Sequence, residues 1–292
     1  MPRRPRRRLG RAGRAWLWLP LVALAACASQ EGTLKHDTFD ARKKIARELV
    51  ARSDWANAFA YADGMHRERP RDAEVLVLRG IVFRERGLNG DAEADLREAL
   101  RLDDQSAEAH AALGILYDVS LRSAAAEPEH RRAVQLAPGN AGYLNNLGFS
   151  LFLRGKTQEA IGFYQQAARL DPTSARVRTN LGFAYAAAGD LRRAAKEFEM
   201  AGSAAEAKNN LGYAYERRGD IPRAYDLYLE AARLDPKSNR ARSNLVHAAA
   251  ALGREIPADV GDPQQPEAQG AQAVSPPPEA SPPQPIHEEK GP

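Results

Sequence analysis

The sequence predicts an all-α solenoid of antiparallel helix pairs, six pairs closed by a capping helix, and three observations predict it. Units of similar pattern begin at Phe39, Ala73, Ala107, Ala141, Ala175 and Ala205, with a half-unit from Asn239. Within them, position 20 is alanine in all six full units, from Ala58 to Ala224, and position 8 is Gly80, Gly114, Gly148, Gly182 and Gly212 in five. Glycine costs about 1 kcal/mol relative to alanine inside a helix, so its return at a helical position needs a packing reason. Third, positions 4, 7, 8 and 11 share one helical stripe, and 20, 24 and 27 another, separated by a turn. Small residues at 8, 20 and 27 let two helices approach, and larger ones at 7, 11 and 24 fill the space between. A single pair cannot bury its apolar face, so neighbours stack.

The chain opens with seven arginines (Arg3, Arg4, Arg6, Arg7, Arg8, Arg11 and Arg14) ahead of "AWLWLPLVALAAC", with no acid among residues 1–26. This is the layout of a secretory signal. The apolar run from Ala15 to Ala26 falls short of the ~20 residues that span a bilayer. It ends in Leu24-Ala25-Ala26-Cys27, which resembles the lipobox of bacterial lipoproteins. That resemblance implies cleavage after Ala26, acylation of Cys27, and outer-membrane sorting because Ala28 rather than Asp follows. An ordinary signal with a chance cysteine is the alternative. Cys27 is the sole cysteine, which excludes a disulfide within the chain. The signal also carries the positive balance: without its seven arginines, 35 Lys+Arg face 38 Asp+Glu. No basic surface then remains to neutralise phosphates, so nucleic acid is not an expected partner.

Residues 27–38 form a short polar tether. The units that follow span 39–72, 73–106, 107–140, 141–174, 175–204 and 205–238, with a cap over 239–254. Pro70, Pro138, Pro172 and Pro236 close four of them. The pattern of Leu-Gly, aromatic, Ala, aromatic, Ala and Pro over 34 residues resembles the tetratricopeptide repeat. The resemblance implies a right-handed superhelix with a concave binding face. Departures are expected to matter locally. Arg79 replaces the leucine at position 7 of the second unit, where packing is expected to be weaker or locally shifted, and Leu121 replaces the turn glycine of the third. Pro128 lies inside the third unit's second helix, which is therefore expected to start late, near Glu127. The fifth unit is four residues short, with Ala201-Gly202-Ser203 leading straight into the next helix. Residues 255–292, holding most of the prolines in runs such as "SPPPEASPPQP", are expected to form no core.

Positions 2, 6, 9 and 13 of each first helix share the stripe expected to face the hollow of the superhelix. Position 6 is Asn146, Asn180, Asn210 and Asn244 in successive units, and position 9 is Phe149, Phe183, Tyr213 and His247. Amides both donate and accept, so such a row can pair an extended chain's backbone, and rings beside it add contact area. These eight residues are the candidate peptide-binding groove. The alternative is that each asparagine bonds a neighbouring helix or turn. Asn145 and Asn209, the first of each doublet, do not recur elsewhere, which makes the second the regular one. Upstream the stripe changes to Lys44 and Arg47, then Leu78 and Ile81, then Ala112 and Ile115.

Six histidines lack metal-ligand spacing, and no phosphate loop, nucleophile elbow or triad stands out, so no metal, cofactor or catalysis is expected. Lipobox and repeats together resemble the pilotin-type lipoproteins of type IV pili and the tetratricopeptide lipoprotein of Tad (Flp) pilus loci. The resemblance implies an outer-membrane-anchored periplasmic scaffold that holds a peptide or helix of a secretin or other pilus component. An adaptor for murein hydrolases or periplasmic proteases shares the plan.

Overall fold

The computed structural model describes residues Thr38–Val260. Cys27, the signal, the tether up to residue 37 and the tail from residue 261 onward lie outside the described residues. Within them the chain is all helix, with no strand. The first helices of the pairs are α1 (38–51), α3 (Ala73–Glu85), α5 (Ala107–Val119), α7 (Ala141–Leu153), α9 (Ala175–Ala187) and α11 (Ala204–Glu216). Their partners are α2 (Trp55–Glu68), α4 (Asn89–Leu102), α6 (Ser123–Leu136), α8 (Thr157–Leu170), α10 (Leu191–Ala201) and α12 (Ile221–Leu234). The capping helix α13 (Asn239–Leu252) and a 3₁₀ turn at Ala258–Val260 complete the fold. Each helix packs on its sequence neighbours, and each first helix from α3 onward also touches the first helix of the next pair, building a solenoid.

Local chemistry sets the boundaries. Asp72, Ser106, Asn140, Ser174, Ser203 and Ser238 each stand just before a first helix, and each side chain accepts a backbone N–H of its opening turn. The shortened fifth unit ends in such a start: Ser203 and Glu206 form a reciprocal capping box, so α10 passes into α11 through two residues. Position 15 is the turn between paired helices, and the chain takes positive φ there in every repeat. Gly87, Gly155, Gly189, Gly219 and Gly253 occupy it without strain, whereas Ser53 and Leu121 do so at φ 57°.

The glycines of position 8 lie where a side chain cannot fit. A Cβ on Gly148 would stand 2.8 Å from the Tyr164 ring, one on Gly182 would stand 2.5 Å from Phe198, and one on Gly212 would stand 2.8 Å from Tyr228. All three rings are at position 24 and fully buried. In the first unit, where position 8 is Ala46, position 24 shrinks to Ala62, so volume is conserved across the contact.

Two expectations are corrected, and a third is made specific. Helix α6 starts at Ser123, not near Glu127, and runs through Pro128 at the cost of the bond Ala124 would have accepted. At Arg79 the expected weaker or shifted packing takes the form of an ion pair in place of leucine: its guanidinium grips Asp95 bidentately at 2.6 and 2.7 Å. The tail does not leave the fold at residue 255. Val260 is buried against α12 and α13 beside Ile256, and Tyr225 donates to the Glu255 carbonyl at 3.1 Å.

Candidate functional site: the concave face

The stripe of first-helix side chains divides into two chemically different halves. In the C-terminal half the asparagines pair with one another. Asn180 Nδ2 donates to Asn145 Oδ1 at 2.9 Å, and Asn244 Nδ2 donates to Asn209 Oδ1 at 2.9 Å. Position 6 of one unit thus bonds position 5 of the unit before it, and the doublets supply the acceptors. Asn146 and Asn180 are each 1% exposed, and Phe149 and Phe183 are also buried. Phe183 packs edge-on against Phe198 at 4.9 Å and Tyr213 at 5.8 Å. Asn210, Tyr213 and Asn244 are half-buried, and His247 is exposed. The eight residues follow one stripe, but Asn180 and Asn244 spend an amide between repeats, as the alternative reading of the sequence has it.

In the N-terminal half the stripe opens into a cleft of about 210 Å³. Leu78 and Ile81 of α3 and Ala111, Ala112 and Ile115 of α5 form its apolar floor, with Val50 at the α1 side. Tyr143 and Asn146 of α7 close the far end. An apolar cavity of ~150 Å³ holds a benzene ring, whereas drug-sized ligands need ~300 Å³ or more. The cleft therefore suits one large apolar side chain of a partner better than a cofactor.

Arg47, Arg84 and Glu108, three of the charges around the cleft, are already engaged. Arg47 pairs with Glu74 and reaches Glu108 Oε2 at 3.4 Å, tying α1 to the starts of α3 and α5. Burial works against the Arg47 charge, but Glu108 and Glu74 outweigh it and raise its pKa. Arg84 is buried and donates to Glu85 at 2.8 and 3.0 Å, and desolvation lowers its pKa despite that carboxylate. Recognition here falls to shape and apolar contact. The signal for it was in the sequence, where position 6 and position 9 turn from amide and ring to Leu78, Ile81, Ala112 and Ile115. Among the described residues no group of three or more His, Cys, Asp or Glu could hold a metal ion, and no helix is long and apolar enough to cross a membrane.

Known proteins share this architecture. The profile described as "TPR repeat" matches residues 150–189, and two described as "Tetratricopeptide repeat" match residues 43–107 and 205–238. The type IV pilus assembly protein PilF of Pseudomonas aeruginosa (strain PAO1) is 36% identical over 86 residues, 30% of this chain and 33% of that protein. The chain thus spans about a third of the length of the curated relative it matches. Among solved structures, PilW, described as a widely conserved type IV pilus biogenesis factor, superposes with a TM-score of 0.61 at 18% identity, covering 71% of this chain and 98% of that one. P. aeruginosa PilF does so with a TM-score of 0.58 at 18% identity, over 73% and 98%. YrrB, described as a TPR protein with an unusual peptide-binding site, gives 0.50 at 22%, over 65% and 97%. At these identities the structures speak to fold. By repeat profile and by fold, the chain is a solenoid of tetratricopeptide repeats that resembles the type IV pilus proteins PilF and PilW.

Proposed function

We propose that this chain is a scaffold anchored to the outer membrane through acylated Cys27, facing the periplasm and assisting assembly of a pilus or its secretin. The observation that carries the reading is the apolar cleft over α1, α3, α5 and α7, which offers a partner an anchor pocket inside a repeat fold built for protein contact. The partial identity to PilF supports the pilus context. The lipobox motif supports the anchor, since several acyl chains hold a protein on a bilayer where one binds marginally. No step of this role requires catalysis.

The test is a photo-crosslinking amino acid at Ile81, introduced into the full-length chain in cell envelopes. A crosslink to a secretin or pilus component, lost on Ile115→Asp while the circular dichroism melt is kept, is the expected result. A crosslink to a murein hydrolase or protease would replace the pilus reading with the adaptor one. Retention of the crosslink in Ile115→Asp would remove the cleft from the argument.

A further inference from the structure

We propose that the third repeat is a soft joint in the solenoid, which opens ahead of its neighbours and varies the width of the cleft. Three independent features converge on it. Leu121 makes the turn between α5 and α6 in the left-handed region, and its side chain is 91% exposed, so no packing offsets the strain. Helix α6 contains Pro128, whereas α4 and α8, which like α6 lack a side-chain cap, have no proline inside them. Position 24 is His130, set against Gly114 where the fourth, fifth and sixth repeats place Tyr164, Phe198 and Tyr228.

Packing across the joint mixes apolar and polar contacts. One cluster runs through α3 to α6 and another through α7 to α11. Between them lies a patch of Ala111, Ala133 and Tyr143, and Val134 of α6 packs against both that patch and the second cluster. Polar groups add to this: within the repeat fully buried His130 bonds Asp118 of α5 through Nε2 at 3.0 Å, and Ser150 of α7 donates to the same carboxylate at 3.1 Å. The Nδ1 of His130 and the hydroxyl of Tyr164 are buried without a partner. Buried polar groups left unpaired oppose folding. Holding α6 in place is an ion cluster in which Glu127 accepts from Arg131 of its own helix and from Arg154 and Lys156 beyond α7.

The location gives the joint a consequence. Helix α5 supplies Ala111, Ala112 and Ile115 to the cleft, and α7 supplies Tyr143 and Asn146. Movement between the third and fourth repeats therefore changes the distance between floor and end wall. The functional consequence rests on the cleft being the docking site, but the joint itself is tested without any ligand.

Hydrogen exchange of the full chain reads it directly. Interior units of a uniform solenoid are the most protected, because opening one breaks two interfaces. The joint predicts that α6 amides exchange at least tenfold faster than those of α4 and α8. Leu121→Gly combined with Pro128→Ala should slow α6 by tenfold or more and leave α12 unchanged. Spin labels at Asp91 and Gln158, in a Cys27→Ser background, should give a broad distance distribution that the same double variant narrows. Equal protection of α6 and α8, or a distribution of the same width in both proteins, would overturn the joint.

Discussion

At the scale of single residues, the solenoid repeats one geometry and tolerates its exceptions at a measurable cost. Leu121→Gly should raise stability by about 1–2 kcal/mol, the penalty of a left-handed non-glycine residue, because the exposed leucine gives up no contact. A thermal melt unchanged by the substitution would mean the turn relaxes in solution. The asparagines invite a sharper comparison. Asn180→Ala takes a donor from buried Asn145 and should cost about 1–3 kcal/mol. Asn210→Ala, at a half-buried position, should cost little, since alanine is the better helix former. Equal melts for the two variants would place both amides in the groove instead. The recurrence of asparagine was legible in the sequence, and its helical stripe with it. What each amide bonds was not, because the acceptor sits 35 residues away on another unit and depends on whether position 5 there is also asparagine.

At the scale of elements, the register of the helix pairs could be read from small residues because close approach leaves no alternative to them. The capping residues before each first helix, Asp72 through Ser238, carried a further signal that marks those starts to within a residue. Helix α6 could not be read this way: rules for proline place it at a helix start, and the local rule yields to packing on both sides. Its restraint is electrostatic. Burial pushes the Glu127 carboxyl up, but hydrogen bonds from Lys156 and Arg131, with their charges, more than offset this and hold its pKa below the usual value of 4.5. A depressed carboxylate stabilises fully above its unfolded value and loses that contribution as pH falls through the folded one. Glu127→Gln should therefore lower the melting temperature at pH 7, by an amount corresponding to about 1.5–3 kcal/mol for charged hydrogen bonds. The gap to the wild-type chain should narrow as pH falls below 4.5 and through the depressed folded value. A gap of the same size at pH 7 and pH 3 would assign the loss to packing rather than charge.

At the scale of the whole molecule, stability in a repeat array is a sum of units and interfaces, and the ends are where a face lacks a neighbour. The N-terminal end covers Phe39 with cations: Arg69 lies 3.9 Å from the ring centroid and Arg42 5.3 Å. The C-terminal end is sealed differently, by the seven residues that follow Gly253. Val260 and Ile256 settle on α12 and α13, Asp259 pairs with Arg233 at 2.9 Å, and Arg254 stacks over Tyr225. Composition hid this seal, since it is short and precedes a proline-rich stretch that dominates any average over the region. A chain ending at Val260 should melt with the full-length protein. One ending at Gly253 exposes the surface that Val260 and Ile256 cover, at roughly 1.5–3 kcal/mol for each such side chain fully buried. Because the array unfolds from its ends, that loss should appear as faster amide exchange in α13 and α12 with α3 and α5 unchanged. Identical melts for the two truncations would show that the seven residues seal nothing. A lower melt on removing residues 261–292 alone would instead show that the tail itself contributes to the fold.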